Sequence, residues 1–97
     1  MSDYYNESID KLFKVISEVN TVKECRAFFE DLCTIKEIQD MAQRLETAIL
    51  LNEHENYQTI SAKVGVSSAT ISRVSRCLNY GTGGYRAVID KMAGAKK

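Results

Sequence analysis

The sequence predicts an all-α protein. Apolar residues recur at three- and four-residue steps along most of the chain, which is the period of one helix face. Two capping boxes open helical stretches, and no run shows the alternation of a strand. A length of 97 residues allows one domain, residues 1–97.

The first helix is expected over residues 5–19, where Tyr5, Ile9, Leu12, Phe13, Ile16 and Val19 share a face and Asn20 ends the run. Thr21-Val22-Lys23-Glu24 then opens a second helix carrying Cys25, Phe28, Phe29 and Leu32. Thr34-Ile35-Lys36-Glu37 opens a third, with Ile35, Ile38, Met41, Ala42, Leu45, Ala48, Ile49 and Leu51. Its end, Ala48-Ile49-Leu50-Leu51, is apolar around most of the circumference. One neighbouring helix would not bury that, so a partner subunit is expected; a central helix in a monomer is the alternative. A short helix from Tyr57 to Val64, a turn at Gly65, and a helix from Ser67 to Asn79 follow the polar stretch 52–56. Residues 80–84 break the chain as a glycine-rich joint, and a last helix, residues 85–93, carries Val88, Ile89 and Met92.

The chain holds 13 basic and 13 acidic side chains, and its formal net charge of zero hides a division. Residues 1–56 carry 6 Lys/Arg against 12 Asp/Glu, a net of −6. Residues 57–97 carry 7 Lys/Arg against the single Asp90, a net of +6. A one-sided basic segment is a footprint for a polyanion, although two oppositely charged parts could also simply attract each other. The three cysteines lack a CxxC pairing and are read as buried small hydrophobes in a reducing cytoplasm. No signal peptide, membrane span, metal-ligand set or cofactor motif is visible. The one histidine, His54, has no serine or cysteine placed to use it, so an enzyme is not expected.

Residues 59–73, Thr-Ile-Ser-Ala-Lys-Val-Gly-Val-Ser-Ser-Ala-Thr-Ile-Ser-Arg, suit a helix-turn-helix. Ile60 and Val64 face a core, Ser61 is small where two helices cross, and Gly65 takes the left-handed conformation that turns the chain. Val66 plugs the corner, Ser67 caps the second helix, and Ile71, Val74 and Leu78 form its inner side. That leaves Ser68, Ala69, Ser72, Arg73 and Arg76 exposed. Short side chains let such a helix enter a major groove closely, and the arginines reach phosphates or guanine edges. Gln58, Ser67 and Thr70 complete the expected double-stranded DNA interface.

At Leu32 to Leu51 and again at residues 57–79, the chain resembles the Trp repressor family, over about Asp10 to Met92. It is similar in particular to the YerC/YecD-type Trp-repressor-like proteins of Gram-positive bacteria, with which it shares Leu-Asn-Tyr-Gly-x-Gly-Gly-Tyr from Leu78 to Tyr85. The resemblance implies a six-helix protomer in an intertwined homodimer, with two reading heads on a palindromic operator. Residues 1–56 would be dimerisation helices, 57–79 the helix-turn-helix, and 80–97 the last helix and tail.

The resemblance also maps a corepressor pocket onto Thr34, Arg44, Arg73, Val74 and Cys77, with Thr70 at its edge. Arg44 and Arg73 match the two arginines that sandwich tryptophan's indole in the repressor. Val74 stands where the repressor has a glycine that makes room for the ligand, and Cys77 replaces a serine that helps bind the amino group. The extra carbons of Val74 take up space an indole needs, and a thiol is a poorer hydrogen-bond partner, so tryptophan is not the expected effector. Arg44 could instead pair with Asp40, Glu46 or an acid across a dimer. The expected function is a homodimeric DNA-binding transcription regulator, a repressor; the alternative is a protein-interaction module with no specific operator.

Overall fold

The computed structural model describes residues 6–95, so Tyr5 and the two terminal lysines lie outside it. The described chain is α-helical, in the order α1 (Glu7–Ser17), α2 (Val22–Leu32), α3 (Ile35–Asn52), α4 (Tyr57–Val64), α5 (Ser68–Tyr80) and α6 (Gly84–Ala95). It divides into two compact units, residues 1–38 and 39–97, with α3 running through the boundary.

In the first unit, local hydrogen bonds set the helix ends. The Ile9 N–H donates to Asn6 Oδ1 at 2.9 Å and starts α1. α1 ends at Ser17, short of the Asn20 end that periodicity predicted. The Val19 N–H bonds the Ile16 carbonyl and tightens the last turn. The Asn20 N–H is then taken by the Glu24 carboxylate at 3.0 Å, which draws the chain into α2. The Glu24 N–H donates to Thr21 Oγ1, also at 3.0 Å. At α3 the box is fully reciprocal: the Glu37 N–H donates to Thr34 Oγ1 at 3.1 Å, and the Thr34 N–H to Glu37 Oε1 at 2.8 Å. No residue of α1 or α2 is buried. Val22 and Ile35 are 77% and 64% exposed, and half of Phe13 is open to solvent.

The second unit holds the core, in two clusters on either side of α3. Ala48 packs with Val74 and Leu78 of α5 and Ile89 of α6, with Ile49 and Tyr85 against them. Leu50 packs with Ile60 of α4, Val66 of the turn and Ile71 of α5. Leu51 touches both clusters. At the apolar end of α3, from which a partner subunit was expected, helices of the same chain bury Ala48 and Leu50 and leave Ile49 and Leu51 partly buried. Apolar residues left open elsewhere on α3 and α6 include Met41, Leu45, Val88 and Met92. Thr47 is fully buried because its hydroxyl donates to the Gln43 carbonyl at 2.7 Å, so its polarity is satisfied on its own helix.

The cysteines are free, as expected, but they are not core residues: Cys25 and Cys77 are exposed and Cys33 half-buried. Cys25 and Cys77 each line an open apolar groove. A small hydrophobe is stable at the wall of such a groove without being enclosed.

α3 closes in a Schellman arrangement. The His54 N–H bonds the Leu51 carbonyl and the Glu55 N–H bonds the Leu50 carbonyl, with His54 at φ +66° where glycine is usual. α4 ends at Gly65, φ +83°, whose N–H bonds the Ser61 carbonyl. Gly81 has a steric reason to be glycine, since a Cβ there would stand 2.4 Å from the Cys77 carbonyl oxygen.

Two substitutions separate the backbone from the packing contribution. A Cβ on Gly65 meets nothing within 4 Å, so Gly65→Ala carries only the left-handed penalty, about 1 kcal/mol. Ile71→Ala opens a cavity in a fully buried site and costs about 2–5 kcal/mol. Urea unfolding monitored by circular dichroism is expected to give losses in that order.

Candidate nucleic-acid interface

The segment from Asn56 to Tyr80 is built by caps and one small turn. The Thr59 N–H donates to Asn56 Oδ1 at 2.8 Å and opens α4. After Gly65, Val66 turns inward and is buried. The Ser61 hydroxyl donates to the Val66 carbonyl at 2.9 Å, which ties α4 to the turn. Ser61 is thus a fastener as well as a small residue at a crossing. The Thr70 N–H then donates to Ser67 Oγ at 3.2 Å and starts α5.

On α5, Ile71, Val74 and Leu78 are buried, while Ser68, Ala69, Ser72, Arg73 and Arg76 are exposed. The core spacing leaves no other choice, because positions three and four apart share a face. Gln58 and Ser67 are exposed as well. Thr70 is half-buried, and its hydroxyl accepts from Ser67 at 3.2 Å, so it belongs to the cap of α5. Gln58 and Ser68 line one shallow depression between α4 and α5, together with Tyr57, Ser61 and Ala62. Tyr57 is a residue that sequence reasoning passed over. Its only signal was its place directly after the capping Asn56.

The electrostatics of helix ends follow the charge division. The first turns of α1, α2 and α3 carry acids (Glu7 and Asp10, Glu24, Glu37), which offset the positive end of the helix dipole. The first turns of α4, α5 and α6 carry none. Lys63 is engaged with Glu55 at 3.8 Å. Arg73 and Arg76 have no carboxylate within ion-pairing distance among the described residues.

The residues mapped to a ligand pocket fall into different surroundings. Thr34 caps α3 and bonds Glu37. Arg44 is exposed and its Nε donates to the Asp40 carbonyl at 3.3 Å, a bond to backbone and not to a carboxylate. Val74 is 2% exposed and packs into the Ala48 cluster. Cys77 does not join it there; it lines the open groove with Leu45, Gly81, Thr82, Gly84, Tyr85 and Val88.

The Trp repressor protein family, compared with the chain, matches residues 7–93. The chain belongs to the Trp repressor family. It is 49% identical over 86 residues to the uncharacterized protein YerC of Bacillus subtilis (strain 168), covering 89% of this chain and 83% of that one. A TrpR-like protein from Eubacterium eligens ATCC 27750 has the same fold, with a TM-score of 0.88, 44% identity and 91% of each chain covered. So has a candidate Trp repressor from Staphylococcus aureus, with a TM-score of 0.88, 40% identity, and 92% of this chain and 89% of that one covered. The Trp repressor family is a family of regulators.

Exposure and burial along α5 predict opposite outcomes for adjacent residues. Arg73→Ala and Arg76→Ala are expected to shift unfolding free energy by no more than about 0.5 kcal/mol. Val74→Gly is expected to lose about 3 kcal/mol, from a cavity and a helical glycine together. Thermal and urea unfolding of the three variants check this.

Proposed function

We propose that this chain is a DNA-binding transcription regulator, a repressor of the Trp repressor type that acts in the cytoplasm as a homodimer on a palindromic operator. One observation carries the reading: α5 buries Ile71, Val74 and Leu78 while presenting Ser68, Ala69, Ser72, Arg73 and Arg76 beside a helix start free of acids. Short residues near the amino-terminal end allow close approach to a groove floor, and the two arginines supply phosphate or guanine contacts. Gln58 lines a depression with Ser68, and Ser67 and Thr70 form the cap of α5. Exposed apolar side chains on α1, α2 and the start of α3, such as Phe13, Val22, Leu32 and Ile35, support a second copy as their cover. With serine and alanine at the reading positions, operator choice rests on water-mediated contacts and DNA shape more than on bidentate pairs.

Tryptophan is not the effector in this reading. Val74 fills space that glycine leaves open in the repressor, and Cys77 offers a weak donor in place of a hydroxyl. Arg44, bonded along its own helix, serves the fold.

Electrophoretic mobility shifts on genomic fragments are expected to show duplex binding that weakens on the order of 100-fold as salt rises from about 50 to about 200 mM. Arg73→Ala and Arg76→Ala are each expected to weaken it by about 1 kcal/mol and to lower the salt slope by about one. No shift at low salt would favour a protein-interaction module. Sedimentation equilibrium at micromolar concentration is expected to give twice the 10.9 kDa chain mass. Calorimetric titration with L-tryptophan is expected to give no dissociation constant of tens of micromolar or tighter.

A further inference from the structure

His54 holds a left-handed conformation that a side chain rarely adopts, at a helix end where glycine would serve the backbone better. What the histidine adds is an imidazole at the wall of a recess of about 260 Å³ in the second unit. Asn52, Ser75, Asn79 and Arg86 form the polar part of the same wall.

Arg86 is fixed in that wall from both sides. Its Nη1 donates to Asn52 Oδ1 at 2.8 Å and its Nη2 to Asn79 Oδ1 at 2.9 Å. Both partners are neutral amides. Among the described residues no carboxylate lies within ion-pairing distance of it, Asp90 one turn further along α6 included. The positive charge is therefore held in place without being neutralised, in a first turn of α6 that carries no acid.

The amide oxygens of Asn52 and Asn79 are spent on the guanidinium, and Asn79 Nδ2 donates to Ser75 Oγ at 3.3 Å. The groups left to meet a ligand can each donate: the Asn52 amide, the Ser75 hydroxyl, a ring nitrogen of His54 and the rest of the arginine fork. Fixed positive charge surrounded by donors matches an oxyanion, and an arginine fork matches phosphate geometry in particular.

We propose that this recess is a phosphate-binding site, with Arg86 as the charged fork and His54 and Ser75 as flanking donors. The phosphate comes either from a DNA backbone or from a free phosphorylated compound, since Arg86 is exposed. Ser75 and Asn79 belong to α5, so a phosphate here bears on the same helix that carries Arg73 and Arg76. The site goes beyond the regulator reading and does not require it.

The full chain, labelled with ¹⁵N, is titrated with inorganic phosphate against sodium chloride of matched ionic strength and followed by two-dimensional NMR, without DNA. Saturable shifts are expected at His54, Ser75, Asn79 and the Arg86 side chain. Arg86→Gln is expected to weaken phosphate binding about tenfold or more. His54→Gly relieves the backbone and keeps the fold, so its thermal midpoint is expected to stay level or rise while phosphate binding weakens severalfold. Shifts no larger than those from chloride, or an unchanged curve in both variants, would overturn the site. Duplex titrations then separate the two sources. Loss of affinity and a smaller salt slope in Arg86→Gln assign the phosphate to DNA. An unchanged slope, with free phosphate altering duplex affinity in the parent chain only, assigns it to a small molecule.

Discussion

Ala48 and Leu50 put apolar surface on two sides of one helix, and Leu51 lies between them. α5 and α6 close on the first side; α4, the turn and the start of α5 close on the second. Each side chain removed from water there contributes on the order of 2 kcal/mol, and α5 is the element that meets α3 in both clusters. The orientation of α5 is fixed by this double contact. Ile71 belongs to one cluster, and Val74 and Leu78 belong to the other, so rotating the helix about its axis would expose one set or the other. The exposed face of α5 is what remains after both demands are met.

Charge follows the same division of labour. Helix starts in the acidic part carry their own carboxylates, so the dipole is offset locally. Helix starts in the basic part leave it uncompensated, and Arg73 and Arg76 add whole charges to the same segment. A sum of zero over the chain therefore coexists with a local field suited to a polyanion. The low total also limits attraction at long range, where screening by salt leaves little beyond about 10 Å.

Features decided within four residues were legible in the sequence. The boxes at Thr21 and Thr34, the turn at Gly65, the cap at Ser67 and the inner face of α5 all rest on local spacing, and each stands where the residues put it. At the end of α3 periodicity reports how much surface is apolar and not which chain covers it; within the chain, α4, α5 and α6 bury Ala48 and Leu50 there. Thr47 escaped notice because polarity suggested exposure, whereas its hydroxyl is satisfied by one local bond. The Arg86 clasp spans 34 residues to Asn52, and no pattern of spacing reveals a polar pair at that separation. His54 was weighed as a base and a ligand, but its backbone conformation carries the information, and one residue type does not encode that.

Three successive residues of α5 have three different surroundings. Arg73 is exposed, Val74 lies in the core, and Ser75 lines the recess beside Arg86. A helix anchored by Val74 moves as a unit, because close packing transmits a displacement without absorbing it. Glycine at that position would give the helix a cavity in place of an anchor and loosen the link between its two polar faces. Val74 thus does more than fill a place in the core. It stiffens the element that carries the arginines, and any control over them has to act by shifting α5 as a whole. The Arg86 side is suited to that, since Asn52 holds it to α3 and Asn79 holds it to α5, the two helices whose packing sets which face of α5 is exposed.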